Sequence, residues 1–218
     1  MQSTSLDIRA VILDYGMVLC RRPSLEHIDR IAQIFGVDHA TFWQLYEKNR
    51  GAYDKNEIDG KEYWSRFASN TNTHLADSAL EQLLHWDIDM WSNLEVPLLT
   101  WASSLRGAGF QTALLSNLHL RFSCYLRASS EWLPLFDHLI FSSEVRLIKP
   151  EPAIFLYCLK ALDVKPQQAL FIDDRDANVE AAQALGVKAI KYESVVQLEA
   201  DLKALPFPLL PSLLEIGG

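Results

Sequence analysis

Cysteine is scarce. Cys20, Cys124 and Cys158 are the only three in 218 residues, widely spaced and with no CxxC pair. An odd, scattered set argues against a disulfide framework or a cysteine zinc site and reads as reduced thiols. Cations are in deficit as well, with 20 Lys and Arg against 28 Asp and Glu and a formal net charge of −8. Nucleic-acid backbones require clustered Lys and Arg, so nucleic acid is not an expected partner. A small phosphorylated ligand held by one local cation remains compatible with that balance. No apolar run approaches the length needed to span a bilayer, and residues 1–9 lack the basic-then-apolar order of a secretory signal. The expectation is a soluble, cytoplasmic protein with no membrane partner. Internal repeats and low-complexity segments are absent too.

Apolar residues are plentiful, at 49% with six Trp, which is enough for a substantial core and argues against disorder. The length suits one large domain, or one domain carrying an insertion. A first strand is predicted at residues 9–14, followed by a short apolar turn containing Gly16. From residue 20 to residue 92 the pattern is helical. Ser24, Asp38, Asp59 and Asp77 each precede an amphipathic stretch as candidate caps, and Gly36 supplies a stop. Strand and helix then alternate, with strands at 110–116, 138–142, 169–173 and 187–192. Alternation of this kind implies a parallel sheet covered on both faces. The expected fold is α/β, a Rossmann-like doubly wound parallel sheet (residues 1–19 and 93–218) with an inserted helical cap domain (residues 20–92). The proline-punctuated tail from residue 206 is expected to pack irregularly.

The polar residues that interrupt this pattern stand at predicted strand ends. Ala169-Leu170-Phe171-Ile172 runs into Asp173 and Asp174, and Ala10-Val11-Ile12-Leu13 runs into Asp14. One acid at a strand end is commonly a cap or turn former. Two strands delivering carboxylates at the same end point instead to an oxygen-rich cation site suited to Mg²⁺. In open α/β sheets such ends converge on one crevice, where Ser116, Asn117 and Lys149 are also expected. The chemistry these groups suggest is phosphoryl transfer. Asp14 can attack phosphorus, Asp14 and Asp174 can hold the metal, Ser116 can hydrogen-bond a phosphate oxygen, and Lys149 is a point charge for both nucleophile and phosphate.

Four stretches carry a resemblance. Val11-Ile12-Leu13-Asp14-Tyr15-Gly16-Met17-Val18-Leu19, Ala113-Leu114-Leu115-Ser116-Asn117, Lys149-Pro150, and Phe171-Ile172-Asp173-Asp174-Arg175-Asp176-Ala177-Asn178 match, in order, the motifs of the haloacid dehalogenase-like (HAD) hydrolase superfamily. The helical insertion between the first two motifs resembles the type I cap subgroup, which includes small sugar-phosphate phosphatases and the phosphatase domain of soluble epoxide hydrolase. The resemblance implies Asp14 as nucleophile, Ser116 as phosphate-binding hydroxyl and Lys149 as charge-balancing lysine. It also implies metal ligation by Asp174, by Asp173 as a neighbouring ligand and by the Gly16 carbonyl, with Asn178 in support. Mg²⁺ dependence and a phosphoaspartyl intermediate follow from the same likeness. One position departs: family phosphatases carry an acid two residues after the nucleophile, where this chain has Gly16. Glycine keeps the carbonyl and loses the general acid.

The reading is therefore a Mg²⁺-dependent phosphatase for a small phosphorylated metabolite. The alternatives are a 2-haloacid dehalogenase and a catalytically weakened binding or regulatory protein of the same fold. Asp173-Asp174 disfavours the first, since unscreened carboxylates repel an anionic haloacid; Asp14, Lys149 and Asp174 together disfavour the second. Arg50 and Tyr53, on an apparent loop between cap helices, are the expected substrate contacts. Trp43, Tyr46, Tyr63 and Trp64 are expected in the core, Arg21 and Arg22 as a solvated pair, and the six histidines outside any ligand set, with His119 alone near a motif as a substitute acid. Monomer and homodimer both fit the cap aromatics.

Overall fold

A buried apolar run, Ala10–Leu13, forms the first strand, β1. The computed structural model describes residues 7–205 and Leu213; the tail reading from residue 206 falls outside these apart from Leu213. Five helices follow β1: α1 (Leu25–Phe35), α2 (His39–Lys48), α3 (Arg50–Asp54), α4 (Gly60–Thr71) and α5 (Asp77–Asp89). The chain then alternates through α6 (Val96–Gly107), β2 (Gln111–Ser116), α7 (Leu120–Ser129), β3 (His138–Phe141) and the short α8 (Ser142–Val145). It continues through α9 (Pro152–Ala161), β4 (Ala169–Asp173), α10 (Asp176–Ala184), β5 (Lys188–Lys191) and α11 (Val195–Ala204).

The five strands form one parallel sheet in the order β3-β2-β1-β4-β5. Alternate side chains feed two cores, as a pleated strand requires. Val11, Leu13, Leu114, Leu170 and Ile172 pack with α6, α7 and α11 on one face. Ala10, Ile12, Ala113, Leu115 and Phe171 pack with α9 and α10 on the other. This is the doubly wound α/β arrangement expected from the alternation.

Helices α1 to α5 enclose a third apolar cluster of their own, centred on Phe35, Phe42, Trp64 and Phe67. Their starts follow local capping chemistry. Ser24, Asp38 and Asp59 each accept a backbone N–H three residues on, and Gly36 ends α1 with φ 63°, a left-handed conformation glycine adopts without Cβ strain.

Three expectations are corrected here. Asp77 is the first residue of α5 and makes no side-chain cap. The segment holding Arg50 and Tyr53 is helix α3. Helix α11 follows β5 where no element was expected. Among the described residues, no helix is long and apolar enough to cross a membrane.

Candidate active site

Strand register sets the centre of the site. Leu13 of β1 pairs with Ile172 of β4, so Asp14 and Asp173 leave adjacent strands side by side. On the other flank Leu13 pairs with Leu114, and β2 ends in Ser116. Asp14, Ser116, Asn117, Lys149 and Asp174 line one cavity of about 370 Å³ between the sheet edge and the helical insertion, and Gly16 and Arg50 contribute to its wall.

Lys149 is the hub. Its Nζ lies 2.7 Å from Asp14 Oδ1 and donates to Asp173 Oδ2 at 2.6 Å, in a position almost sealed from solvent. Its backbone is fixed by Asn117, whose Nδ2 donates to the Lys149 carbonyl at 2.9 Å while its Oδ1 accepts from the Lys149 N–H at 2.9 Å. Asn117 is thus a positioning residue for Lys149 as well as part of the wall. Asp173 also accepts from the Arg175 N–H at 2.9 Å and from Asn178 Nδ2 at 2.9 and 3.0 Å. These donors occupy both its oxygens, so Asp173 anchors Lys149 and is the least open of the acids to an added ligand. Asp14 Oδ1 accepts from the Tyr15 N–H at 2.7 Å.

The electrostatics are those of an overfull carboxylate cluster. Burial pushes Asp14 up to about 7, with Lys149 opposing and Asp173 and Asp174 adding to the rise. Burial and the neighbouring Asp173 charge raise Asp174 to about 6. Burial also works against the charge on Asp173, but Lys149 and the hydrogen bonds hold it below its ordinary value. Burial disfavours the Lys149 ammonium, and Asp14 and Asp173 more than compensate. One ammonium among three ionised carboxylates leaves two negative charges uncompensated, the charge of one divalent cation. Carboxylate oxygens of Asp14, Asp173 and Asp174 all come within 4.8 Å of one another. A hard, all-oxygen donor set of this charge fits Mg²⁺.

The profile of haloacid dehalogenase-like hydrolases matches residues 25–186, most of the chain. The chain belongs to the haloacid dehalogenase-like hydrolases. Asp14 lies just before the matched span. Acyl-CoA dehydrogenase family member 10 of Mus musculus is 36% identical over 121 residues, which are 53% of this chain and 11% of that protein. Bifunctional epoxide hydrolase 2 of Rattus norvegicus is 31% identical over 130 residues, 53% of this chain and 24% of that protein. The match therefore covers only a minor part of either relative. A HAD family enzyme of Bacteroides thetaiotaomicron, solved in complex with magnesium and inorganic phosphate, superposes with TM-score 0.69 at 20% identity, over 85% of this chain and 94% of that one. At that identity the likeness speaks for the fold.

Within this HAD-like fold, the expected substrate contacts separate. Arg50 reaches the cavity wall, but its side chain is 12% exposed and already engaged: Nε is 3.0 Å from Asp54, and Nη1 is 3.1 Å from Asp87 and donates to Tyr46 Oη at 2.7 Å. Tyr53 is corrected more sharply. It does not line the cavity; it is buried, stacked between Tyr63 at 4.5 Å and His119 at 4.4 Å. His119 is fully buried against Asp87 and also lies off the cavity, which removes it as a substitute acid. Tyr46, Tyr63 and Trp64 are core as expected, with Trp43 packed against them, and Trp43 and Tyr46 also line the cavity. Arg21 pairs with Glu95, and Arg22 reaches the wall.

Glu47, Asp54, Trp91 and Arg175 also line the cavity and were not singled out from sequence. Arg175 stood inside the fourth motif and could have been found there. Asp54 and Trp91 carried no such signal, because their role depends on how the insertion folds over the sheet.

Proposed function

We propose that this HAD-like hydrolase is a Mg²⁺-dependent phosphatase acting on a small phosphorylated metabolite. The observation that carries the reading is Lys149 held between Asp14 and Asp173, with Asp174 beside them, at the carboxyl ends of two adjacent strands. Asp14 is the nucleophile: one carboxylate oxygen forms a bond to phosphorus as the ester oxygen departs, giving an acyl phosphate that water then cleaves. Lys149 opposes the rise that burial imposes on Asp14, favouring its ionised form, and offers positive charge to the phosphoryl group. Ser116, at the end of β2, is the hydroxyl donor to a phosphate oxygen. Mg²⁺, held by Asp14 and Asp174 with the Gly16 carbonyl, would neutralise phosphate charge and orient in-line attack. The cavity of about 370 Å³ suits a metabolite-sized ligand. The magnesium and phosphate in the Bacteroides thetaiotaomicron structure support the same reading. A haloacid dehalogenase reading is less well supported, because the uncompensated carboxylates beside Asp14 would repel an anionic haloacid without a metal.

A screen of phosphorylated metabolites with Mg²⁺, repeated with a chelator and with Asp14→Asn, tests the proposal. Release of inorganic phosphate lost under both controls is expected. Halide release from a 2-haloacid without metal would overturn it.

A further inference from the structure

Gly16 leaves the nucleophile's own loop without a general acid, and a further buried acid lines the same cavity. Asp54 is the last residue of α3 and lines the same cavity as Asp14 and Ser116. Its backbone is tied to the core. Ser142 Oγ donates to the Asp54 carbonyl at 2.7 Å and accepts from the Leu118 N–H at 3.0 Å, two residues beyond Ser116. One serine thus links Asp54 to the phosphate-binding loop and fixes its place over the crevice.

Asp54 and Asp87 share Arg50 at 3.0 and 3.1 Å, and Asp87 collects more donors besides. Asp87 takes Arg50 Nη1 at 3.1 and 3.3 Å and the Tyr46 hydroxyl at 2.6 Å, with His119 Nε2 at 3.3 Å. His119 Nδ1 accepts from the Phe122 N–H, a pattern that puts the ring proton on Nε2, facing Asp87. Asp54 receives one hydrogen bond, from Arg50 Nε to Oδ2 at 3.2 Å. Its Oδ1 is buried without a hydrogen-bond partner, although the same Nε lies 3.0 Å away. The two acids consequently diverge. Burial raises Asp54 to about 7, with the charges of Asp87 and Glu47 adding and Arg50 opposing. Burial acts on Asp87 too, but Arg50 and His119 hold it well below the carboxylate range. Neighbouring carboxyls with pKa values pushed apart are the pattern of an acid and its supporting charge.

We propose that Asp54, supplied by the helical insertion, is the general acid and base that Gly16 lacks. The inference rests on the phosphatase reading. In the first step the bond between phosphorus and the leaving oxygen breaks with its electron pair on oxygen, which takes the Asp54 proton as Asp14 bonds to phosphorus. In the second, water bonds to phosphorus, the Asp54 carboxylate accepts the water's proton, and the Asp14–phosphorus bond breaks. Ester and water become alcohol and phosphate, and Asp54 is reprotonated.

The test is a leaving-group series, with alkyl phosphates, sugar phosphates and nitrophenyl phosphate assayed with Mg²⁺. Asp54→Asn is expected to lower kcat/KM for alkyl esters by about 10²-fold or more, the usual contribution of a positioned acid. It should leave kcat/KM for nitrophenyl phosphate nearly unchanged, because nitrophenolate departs without a proton, while kcat falls for every ester as the base of the second step is lost. Gly16→Asp in that background should restore alkyl turnover. A Cβ at Gly16 would meet only Trp91 Cζ3, at 3.7 Å, so the chain has room for it. An equal fall in kcat/KM for both ester classes would overturn the proposal. If Asp54→Asn does not fold, the wild type decides alone. Its kcat/KM should depend weakly on leaving group at pH 6 and steeply at pH 8.5, because only the acid form of Asp54 serves poor leaving groups. Titration of Asp14 would scale all esters together. A slope equally steep at both pH values would overturn the role of Asp54 and leave the phosphatase reading standing, whereas hydrolysis of no phosphate ester at all would sink both.

Discussion

Arg175 Nη2 lies 2.9 Å from Glu47 Oε2, bridging the residue after Asp174 to helix α2 beside the cavity they both line. A second bridge, Lys55 to Glu151 at 2.9 Å, joins the insertion to the loop after Lys149. The side chains of Arg175 and Glu47 are 56% and 47% exposed, so solvent screens the pair and its stability contribution is at most about 1 kcal/mol. Its charge balance matters more. Glu47→Gln leaves a cation at the cavity uncompensated and is expected to lower the inhibition constant for inorganic phosphate, while Arg175→Ala raises it. Both effects should shrink at high salt. Identical constants in the two variants would place the pair outside ligand binding.

The acid cluster sets how stability depends on pH. Asp14 and Asp54 are raised to about 7 and Asp174 to about 6, from an ordinary 3.8. Each binds its proton more tightly folded than unfolded, so the folded state loses stability as pH rises from the ordinary value through the raised one. Asp87 and Asp173 are shifted downward and contribute stability that is lost only on acidification. Metal-free protein is therefore expected to melt at a lower temperature at pH 8 than at pH 5. Mg²⁺ should recover part of the loss at pH 8 and little at pH 5, where protons compete for its ligands. Calorimetry with and without chelator measures both. A melting temperature that rises from pH 5 to pH 8 without metal would contradict the cluster as described.

Two substitutions at the hub should behave oppositely. Lys149→Met strands Asp14 and Asp173 without their cation, and breaking a buried pair in this way typically costs about 3–5 kcal/mol. Asp14→Asn removes one of three crowded carboxylates and is expected to keep or raise the metal-free melting temperature at pH 8. Both should abolish turnover. Urea unfolding of the two variants distinguishes them, and a destabilised Asp14→Asn would mean that its ion pair with Lys149 outweighs the repulsion.

The sheet and its catalytic end were legible because they are local in sequence. Each apolar run ends at the residue that leaves the sheet, so Asp14, Ser116 and Asp173 declare themselves where hydropathy stops. Caps at Ser24, Asp38 and Asp59 were readable for the same reason, since the acceptor lies three residues from its donor. The far wall of the cavity was not. Asp54 and Asp87 are ordinary acids in sequence, and their opposite pKa shifts arise in part from a shared Arg50 that reaches from α3 to Asp87 of α5. Tyr53 misled because its segment reads as a loop between cap helices, whereas it is helix α3 and stacking on Tyr63 and His119 seals the ring inside.

Met17 offers a last measurable consequence. It adopts φ 60°, a left-handed conformation that costs a residue with a Cβ roughly 1–2 kcal/mol, and its side chain lines the cavity beside Gly16. Strained residues of this kind cluster where a side chain is needed for function. Met17→Gly relieves the strain but adds about 0.5–1 kcal/mol of chain entropy to the unfolded state, so the backbone terms favour glycine over a residue with a Cβ by roughly 0.5–1 kcal/mol. Met17→Ala keeps the Cβ and the strain while losing the same packing. The usual order should therefore invert, with Met17→Gly more stable than Met17→Ala by about 1 kcal/mol. Turnover gives an independent reading. If the methionine side chain contacts the bound ester, both variants raise KM by the same factor despite their different stabilities. Equal stability of the two variants in urea would remove the strain argument, and an unchanged KM in both would remove the contact.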